Sequence, residues 1–240
     1  MATYRKQKTI RPQASQQAEN IVNKLDKNAS KAEQFLEKYK RHITISIAAV
    51  VVIMVAMWGY HTWIVVPSEN EATEELAFAQ TAYEQDSLTL ALNGDPAHLG
   101  LVKIADQFSS TAAGNIAKYL AGAAYYKQGQ YETAISFLKS YSSDDEITAA
   151  EALGMIGDCY AQMEKPSEAL SYYVKAAAAR DNDFTAPFYL MKAGNVAMYL
   201  KQYNEAVKHY EKIKNDYPKS AQAAQIDQHI EYARGAAKNL

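Results

Sequence analysis

Residues 117–138 read AKYLAGAAYYKQGQYETAISFL, and related stretches recur twice further along the chain. The second is AEALGMIGDCYAQMEKPSEALSYYVKA at 150–176, and the third is FYLMKAGNVAMYLKQYNEAVKHYEKI at 188–213. The copies align on one glycine each, namely Gly122, Gly157 and Gly194. These glycines stand 35 and 37 residues apart, close to the period of about 34 residues of helix-turn-helix solenoids. The spacing predicts one helical hairpin per copy.

Each copy places similar residue types at the same distances from its glycine. The residue three positions after the glycine is Tyr125 in the first copy, Tyr160 in the second and Ala197 in the third. The residue twelve positions after the glycine is an alanine in every copy: Ala134, Ala169 and Ala206. The residue four positions further on is large: Leu138, Tyr173 and Tyr210. Tyr131 and Tyr203 open the second helix of the first and third copies, and Pro218 ends the last one. Small residues let two helices approach closely, while large side chains fill the space around that contact.

This pattern resembles the tetratricopeptide repeat family over residues 114–218. The resemblance implies an all-α solenoid of stacked helix pairs, in which the first helix of each pair lines a concave groove. The second copy departs from the family pattern at its turn, where Glu164 and Pro166 replace the usual glycine and tyrosine.

The flanking segments are predicted to complete the solenoid. Residues 71–92 read as one helix, and residues 96–108 as another, with Asp95 as its cap and Pro96 at the first helical position. Together they form a degenerate leading hairpin. Residues 220–238 suit a capping helix that covers the last apolar face.

A long apolar run precedes the solenoid. Residues 43–66 contain no Asp, Glu, Lys or Arg, and at about 1.5 Å per residue a helix of this length crosses a hydrocarbon core of roughly 30 Å. A cleaved signal peptide has a shorter apolar core and a short leader, whereas 42 residues precede this run. The run therefore predicts a single transmembrane helix. About five residues separate Val66 from the first helix predicted beyond it.

Charge is distributed unevenly across the apolar run. Residues 1–42 hold 10 bases against 4 acids, which leaves 15 bases and 23 acids in residues 67–240. The positive-inside rule then predicts a basic cytoplasmic tail, with the repeat domain on the other side of the membrane. Apolar residues at helical spacing also predict an amphipathic helix within 1–42, which binds either lipid or protein.

No constellation of residues indicates catalysis. The single cysteine, Cys159, lies within a repeat helix and is expected to be a buried thiol. The five histidines show no metal-ligand spacing, and the sequence contains no glycine-rich phosphate loop. The excess of acids in residues 67–240 disfavours nucleic acid. We therefore expect a non-enzymatic protein without cofactor or metal.

The resemblance to the repeat family implies that proteins bind in the groove. The groove positions correspond to Tyr119, Tyr126, Lys127, Asp158, Gln162, Asn195, Met198 and Tyr199. Family members that clamp the carboxylate of a chaperone use bases and asparagines at positions occupied here by Tyr119, Ala123, Met155, Phe188 and Lys192. Only Lys192 is compatible with that role, so a carboxylate clamp is not expected.

The layout of basic tail, uncleaved span and exported acidic repeat domain resembles the YfgM-like ancillary subunits of the bacterial Sec translocon. That resemblance implies an adaptor whose partners are translocon subunits, a periplasmic chaperone or prolyl isomerase, and client polypeptides. The alternative is a structural scaffold that organises a cell-envelope or secretion complex. An anchored enzyme is disfavoured because no set of residues forms a catalytic site.

The charge asymmetry generates a test of topology. Protease added to spheroplasts should degrade residues 67–240 and spare the tail, because the bases keep the N-terminus in the cytoplasm. Immunoblotting with antibodies against each end of the chain measures this, and permeabilised cells, in which both ends are cut, are the control. Protection of the repeat domain in intact spheroplasts would contradict the predicted orientation.

Overall fold

The computed structural model describes residues 37–42, 44–143, 145–179 and 182–238, with Glu146 described without its side chain. The chain divides into two compact units, residues 1–63 and 64–240. In the first unit, residues 37–42 and 44–60 are helical (α1), and nearly all of their side chains are exposed. The helix Glu37–Glu84 is long and apolar enough to span a membrane by length and composition. The amphipathic helix predicted in the tail lies largely outside the described residues.

The second unit is helical throughout its described residues, apart from connecting turns and one isolated bridge between Gly94 and Leu99. After a π-helical turn, His61–Val65, come α2 (Val66–Glu84), α3 (Leu88–Asn93), α4 (Leu101–Gln107), α5 (Ala112–Lys127), α6 (Tyr131–Ser140), α7 (Glu146–Gln162), α8 (Pro166–Ala179), α9 (Thr185–Tyr199), α10 (Tyr203–Asp216) and α11 (Ile226–Lys238). The prediction of an all-α repeat solenoid is confirmed.

The three predicted hairpins are α5/α6, α7/α8 and α9/α10, and each helix packs on the next in sequence order. The segment predicted as a capping helix forms a 3₁₀ turn, Ala221–Gln225, followed by α11. Ile226, Ile230 and Ala233 of α11 are buried in the same apolar cluster as Tyr210. They cover the face that the last repeat would otherwise expose.

The repeat glycines lie where each hairpin's two helices touch. A Cβ atom built on Gly122 would lie 2.6 Å from Cγ of Leu138, and one on Gly157 would lie 2.7 Å from Cδ1 of Tyr173. A Cβ atom on Gly194 would collide with the ring of Tyr210. In every copy the partner is the large residue sixteen positions after the glycine. The predicted packing role of the glycines is confirmed.

All three repeat hairpins turn through one residue with left-handed backbone, namely Gly129 (φ 76°), Glu164 (φ 57°) or Lys201 (φ 60°). In the second repeat the Lys165 N–H donates to the Tyr160 carbonyl and the Glu164 N–H to the Ala161 carbonyl, which is the Schellman arrangement. The second repeat therefore has the same turn as the other two, although it lacks the glycine of the first. Pro166 opens α8 at the first helical position, where its missing N–H costs nothing.

The predicted single helix over 71–92 is wrong. The chain leaves α2 after Glu84 through Asp86, which has a φ of 57°, and α3 then begins at Leu88. The Ser87 N–H donates to the Ala82 carbonyl and the Asp86 N–H to the Tyr83 carbonyl. The break is the same Schellman turn as in the repeats, so α2 and α3 themselves form the leading hairpin.

The predicted helix over 96–108 is also wrong at its start, because α4 begins only at Leu101. Asp95 accepts hydrogen bonds from the N–H groups of Ala97 and His98 at 2.8 and 2.7 Å. These bonds close a turn that competes with helix formation. The Leu99 N–H then donates to Glu75 on α2 at 2.6 Å, which ties the turn to the solenoid.

The expected linker after Val66 is absent, because α2 already begins at that residue. One turn into α2, the Glu69 carboxylate accepts the N–H groups of Ala112 and Ala113 at 2.8 and 3.0 Å. These groups lie at the start of α5, whose first N–H groups lack partners within the helix. Thr111 accepts the Gly114 N–H at the same helix end. An acid of α2 thus fixes that helix to the first repeat.

Replacing Gly157 by Leu should force α7 and α8 apart, because the added side chain enters the space occupied by the Tyr173 ring. We expect the free energy of unfolding of the full-length protein to fall by about 1–3 kcal/mol or more. Thermal unfolding followed by circular dichroism measures the change. Gly235→Leu is the matched control, since Gly235 faces open space in α11 and leucine favours helix over glycine by up to about 1 kcal/mol. Equal melting temperatures for both variants would contradict the assigned contact.

Candidate interaction surface

The first helices of the repeats, α5, α7 and α9, form one continuous surface, called the inner face here. Tyr119 of α5 donates its hydroxyl to the Glu151 carboxylate of α7 at 3.2 Å. Lys192 of α9 lies 2.6 Å from the Asp158 carboxylate of α7. Polar side chains therefore join each first helix directly to the next along the solenoid.

Asp158 of the inner face binds side chains of two other helices. One carboxylate oxygen accepts both the Tyr173 hydroxyl and the Lys192 ammonium group, each at 2.6 Å. Lys192 also lies over the rings of Tyr173 and Phe188, at 5.3 and 5.1 Å from their centroids. Burial, followed by the hydrogen bond to Asp158, raises the pKa of Tyr173. The single base compatible with a carboxylate clamp is thus already paired with an acid.

Tyr126 and Gln162 lie beside Asp158 at the C-terminal ends of α5 and α7. Burial raises the pKa of Tyr126, the charge of Asp158 raises it further, and a hydrogen bond from Gln162 opposes the shift. Lys127 belongs to a different environment. It pairs with Asp86 at 3.2 Å and lies 4.6 Å from the centroid of the Tyr83 ring, against the leading hairpin.

The remaining predicted groove residues lie towards the C-terminal end of α9. Asn195 accepts the Tyr210 hydroxyl at 2.8 Å. Asn195 and Met198 line a groove of about 360 Å³ with residues of α11. Tyr199 is 78% exposed and borders a neighbouring groove. The structure thus places seven of the eight candidates in three groups: Tyr119 with Glu151, the cluster around Asp158, and the C-terminal end of α9. Lys127 lies apart from all three.

The opposite end of the inner face carries exposed apolar residues that the sequence reasoning missed. They are Ile116 of α5, Ile147 of α7, and Phe184 and Phe188 at the start of α9. Phe184 and Phe188 border a pocket of about 310 Å³ whose lining also includes Tyr189, Glu151 and Asp183. The sequence does contain one indication of this apolar surface. Phe188 occupies a position that lines the groove in the repeat family, and it is a large apolar residue where clamp-type members have a base.

The thiol of Cys159 is buried, as predicted, and pairs with no other cysteine. Burial and then the charge of Asp158 raise its pKa to about 12. At neutral pH it remains a thiol, which is a poor nucleophile and a poor metal ligand. Within the described part of the chain, no group of three acidic, histidine or cysteine side chains could hold a metal ion.

Family models for the tetratricopeptide repeat match residues 117–144, 152–186 and 189–220. Three segments of the chain thus match tetratricopeptide repeats. No curated protein matches the chain. Among solved structures, the crystal structure of MamA protein is similar to it, with 18% identity and a TM-score of 0.46 over 70% of this chain and 88% of that chain.

The third tetratricopeptide repeat differs from the others at one packing position. The first two repeats stack Tyr125 on Phe137 and Tyr160 on Tyr172. The corresponding residues of the third repeat are Ala197 and His209. The His209 side chain is only 13% exposed, and its Nε2 has no hydrogen-bond partner among the described residues.

Burial lowers the pKa of His209 from 6.5, with Glu205 opposing the shift and Lys208 adding to it. The unfolded chain therefore takes up this proton more readily, so stability should fall as pH drops below about 6.5. His209→Phe should reduce this fall and raise the free energy of unfolding by about 1 kcal/mol at neutral pH, because a buried nitrogen without a hydrogen bond, 3.7 Å from the Glu205 carboxylate, is removed. Thermal unfolding across this pH range measures both effects. An unchanged pH dependence in the variant would contradict the assignment.

Proposed function

We propose that this protein is a membrane-tethered adaptor without enzymatic activity. In this proposal residues 43–66 anchor it in the bacterial inner membrane, residues 1–42 stay in the cytoplasm and residues 67–240 lie in the periplasm. The observation that carries the proposal is the combination of three tetratricopeptide repeats with an apolar helix of membrane-spanning length in one chain. The repeats supply a surface for proteins, and the helix supplies an anchor.

The charge pattern and the exposed surface of α1 support the anchor. The side chains from residue 44 to residue 58 are exposed in the structure although most are apolar. Such a surface is unfavourable in water and favourable in a bilayer. Bases before the helix and acids after it support the orientation.

The proposed partners are subunits of the Sec translocon, a periplasmic chaperone or prolyl isomerase, and client polypeptides. The resemblance in layout to the YfgM-like ancillary subunits supports this choice. A tether raises the effective concentration of a binding domain near its anchor, into the millimolar range for short connections. An inner face of modest affinity would then suffice to hold chains that emerge from the membrane. The proposed contact residues include Tyr119, Tyr126, Asp158 and Gln162.

Site-specific photocrosslinking in cells tests this proposal. A crosslinking amino acid at Trp58, in the apolar helix, should capture translocon subunits. The same group at Tyr126, on the inner face, should capture a periplasmic folding factor or client. Ser171 is the matched control, because it is exposed on the second helix of the middle repeat, outside the inner face.

Two results would argue against the translocon assignment. Capture of only outer-membrane or cell-wall assembly proteins at Trp58 and Tyr126 would favour the envelope scaffold instead. Equal capture at Tyr126 and Ser171 would show that the inner face is not the preferred binding surface.

A further inference from the structure

The two ends of the inner face differ in chemistry. Its C-terminal end, around Asp158, is polar and its charges are paired within the protein. Its N-terminal end presents aromatic side chains around a pocket, and the nearest described acids there are Glu151 and Asp183. A ligand that binds at this second end must therefore offer apolar surface and tolerate, or prefer, nearby negative charge.

The aromatic rim of this pocket is held in place by defined contacts. Phe184 is 73% exposed, yet its backbone N–H donates to Oδ1 of Asn182 at 3.0 Å, and the next N–H, of Thr185, donates to the same oxygen at 2.7 Å. Phe188 packs edge-on against Tyr189, with ring centroids 5.0 Å apart. The backbone that carries Phe184 and the ring of Phe188 therefore have defined contacts before a ligand binds, which limits the entropy lost on binding.

The position of the pocket depends on contact between repeats. Tyr189 lies against the backbone of Gly154 in α7, where a Cβ atom would collide with its ring. Glu151, one turn earlier on α7, faces the same pocket and accepts the Tyr119 hydroxyl. Ile147 lies four residues before Glu151 and thus on the same side of α7. Exposed apolar surface therefore continues from the pocket towards the first repeat.

The charges around the pocket select the partner. The described lining contains Glu151 and Asp183 and no Lys, Arg or His. Lys192, one turn beyond Phe188, is paired with Asp158. Residues 67–240 as a whole carry eight more acids than bases. This field attracts cationic segments and repels anionic ones.

We propose that this pocket binds a large apolar side chain that is flanked by lysine or arginine in an extended segment of a partner polypeptide. The apolar side chain inserts between Phe184 and Phe188, and the neighbouring bases face Glu151 and Asp183. In an extended chain every second side chain points to the same side, so one apolar residue enters while bases two positions before and after it face the acidic rim. The inference rests on the proposed function in one respect, namely that the inner face binds proteins.

The test uses full-length protein and a fluorescein-labelled peptide in which one phenylalanine lies between two lysines, each two residues away from it, in a glycine-serine chain. Fluorescence anisotropy gives the dissociation constant. Phe184→Ala should weaken binding about tenfold, as expected for loss of an aromatic anchor. Tyr232→Ala is the matched control and should leave binding unchanged, because Tyr232 is a similarly exposed aromatic (74%) on α11.

The electrostatic part is tested with Asp183→Asn and Glu151→Gln. Both should weaken binding of the lysine peptide severalfold, and neither should affect a peptide with serines in place of the lysines. A third peptide, with glutamates in place of the lysines, should bind the unaltered protein more weakly than the lysine peptide and the serine peptide do. Melting temperatures verify that each variant is folded, and Phe184→Ala and Asp183→Asn alter only exposed side chains.

The outcomes separate this inference from the proposed function. If Tyr199→Ala, a change at the other end of α9, weakens binding and Phe184→Ala does not, the inner face still binds peptide and only the pocket assignment fails. If the glutamate peptide binds as tightly as the lysine peptide, the assigned partner chemistry is wrong. If no peptide binds, the pocket inference fails, while crosslinks from Tyr126 still decide the adaptor function independently.

Discussion

Close approach of two helices at a glycine is the contact on which the solenoid depends. Gly122, Gly157 and Gly194 each lie against the large residue sixteen positions later, and any side chain at these positions would separate the hairpin. Gly154 allows a similar close approach between repeats, because the ring of Tyr189 from the next repeat lies against it. In a close-packed interior, the first three glycines set the separation of the two helices within each hairpin, and Gly154 sets the separation of α7 and α9 on the inner face.

The hairpin turns show how packing overrides local preference. Left-handed backbone costs a residue with a side chain roughly 1–2 kcal/mol, yet Asp86, Glu164 and Lys201 adopt it. The burial of two apolar helix faces in each hairpin outweighs that cost. The same Schellman turn in the leading hairpin extends the repeat architecture to α2 and α3, although Ala79 stands where the repeats have their glycine.

Much of the fold follows from the sequence because its signals are local or periodic. The glycine-to-large spacing located all three hairpins, and Tyr131 and Tyr203 marked the first residues of α6 and α10. The errors fall in the leading region. One is the break at Asp86, which arises because α3 folds back on α2 and not from a local helix-breaking residue. The other is Asp95, whose carboxylate closes a turn instead of capping a helix.

For the candidate site, the sequence determined which helices form the inner face and that Cys159 is buried, since both follow from position within the repeat. Only the tertiary structure decided which residues meet there. Glu151 and Phe184 are far apart in the chain, and they border one pocket because α7 and α9 stack side by side. Periodicity reports which side of a helix faces its partner. It does not report how exposed a side chain remains once the neighbouring repeat has packed, and that exposure distinguishes Phe184 from the buried Tyr189.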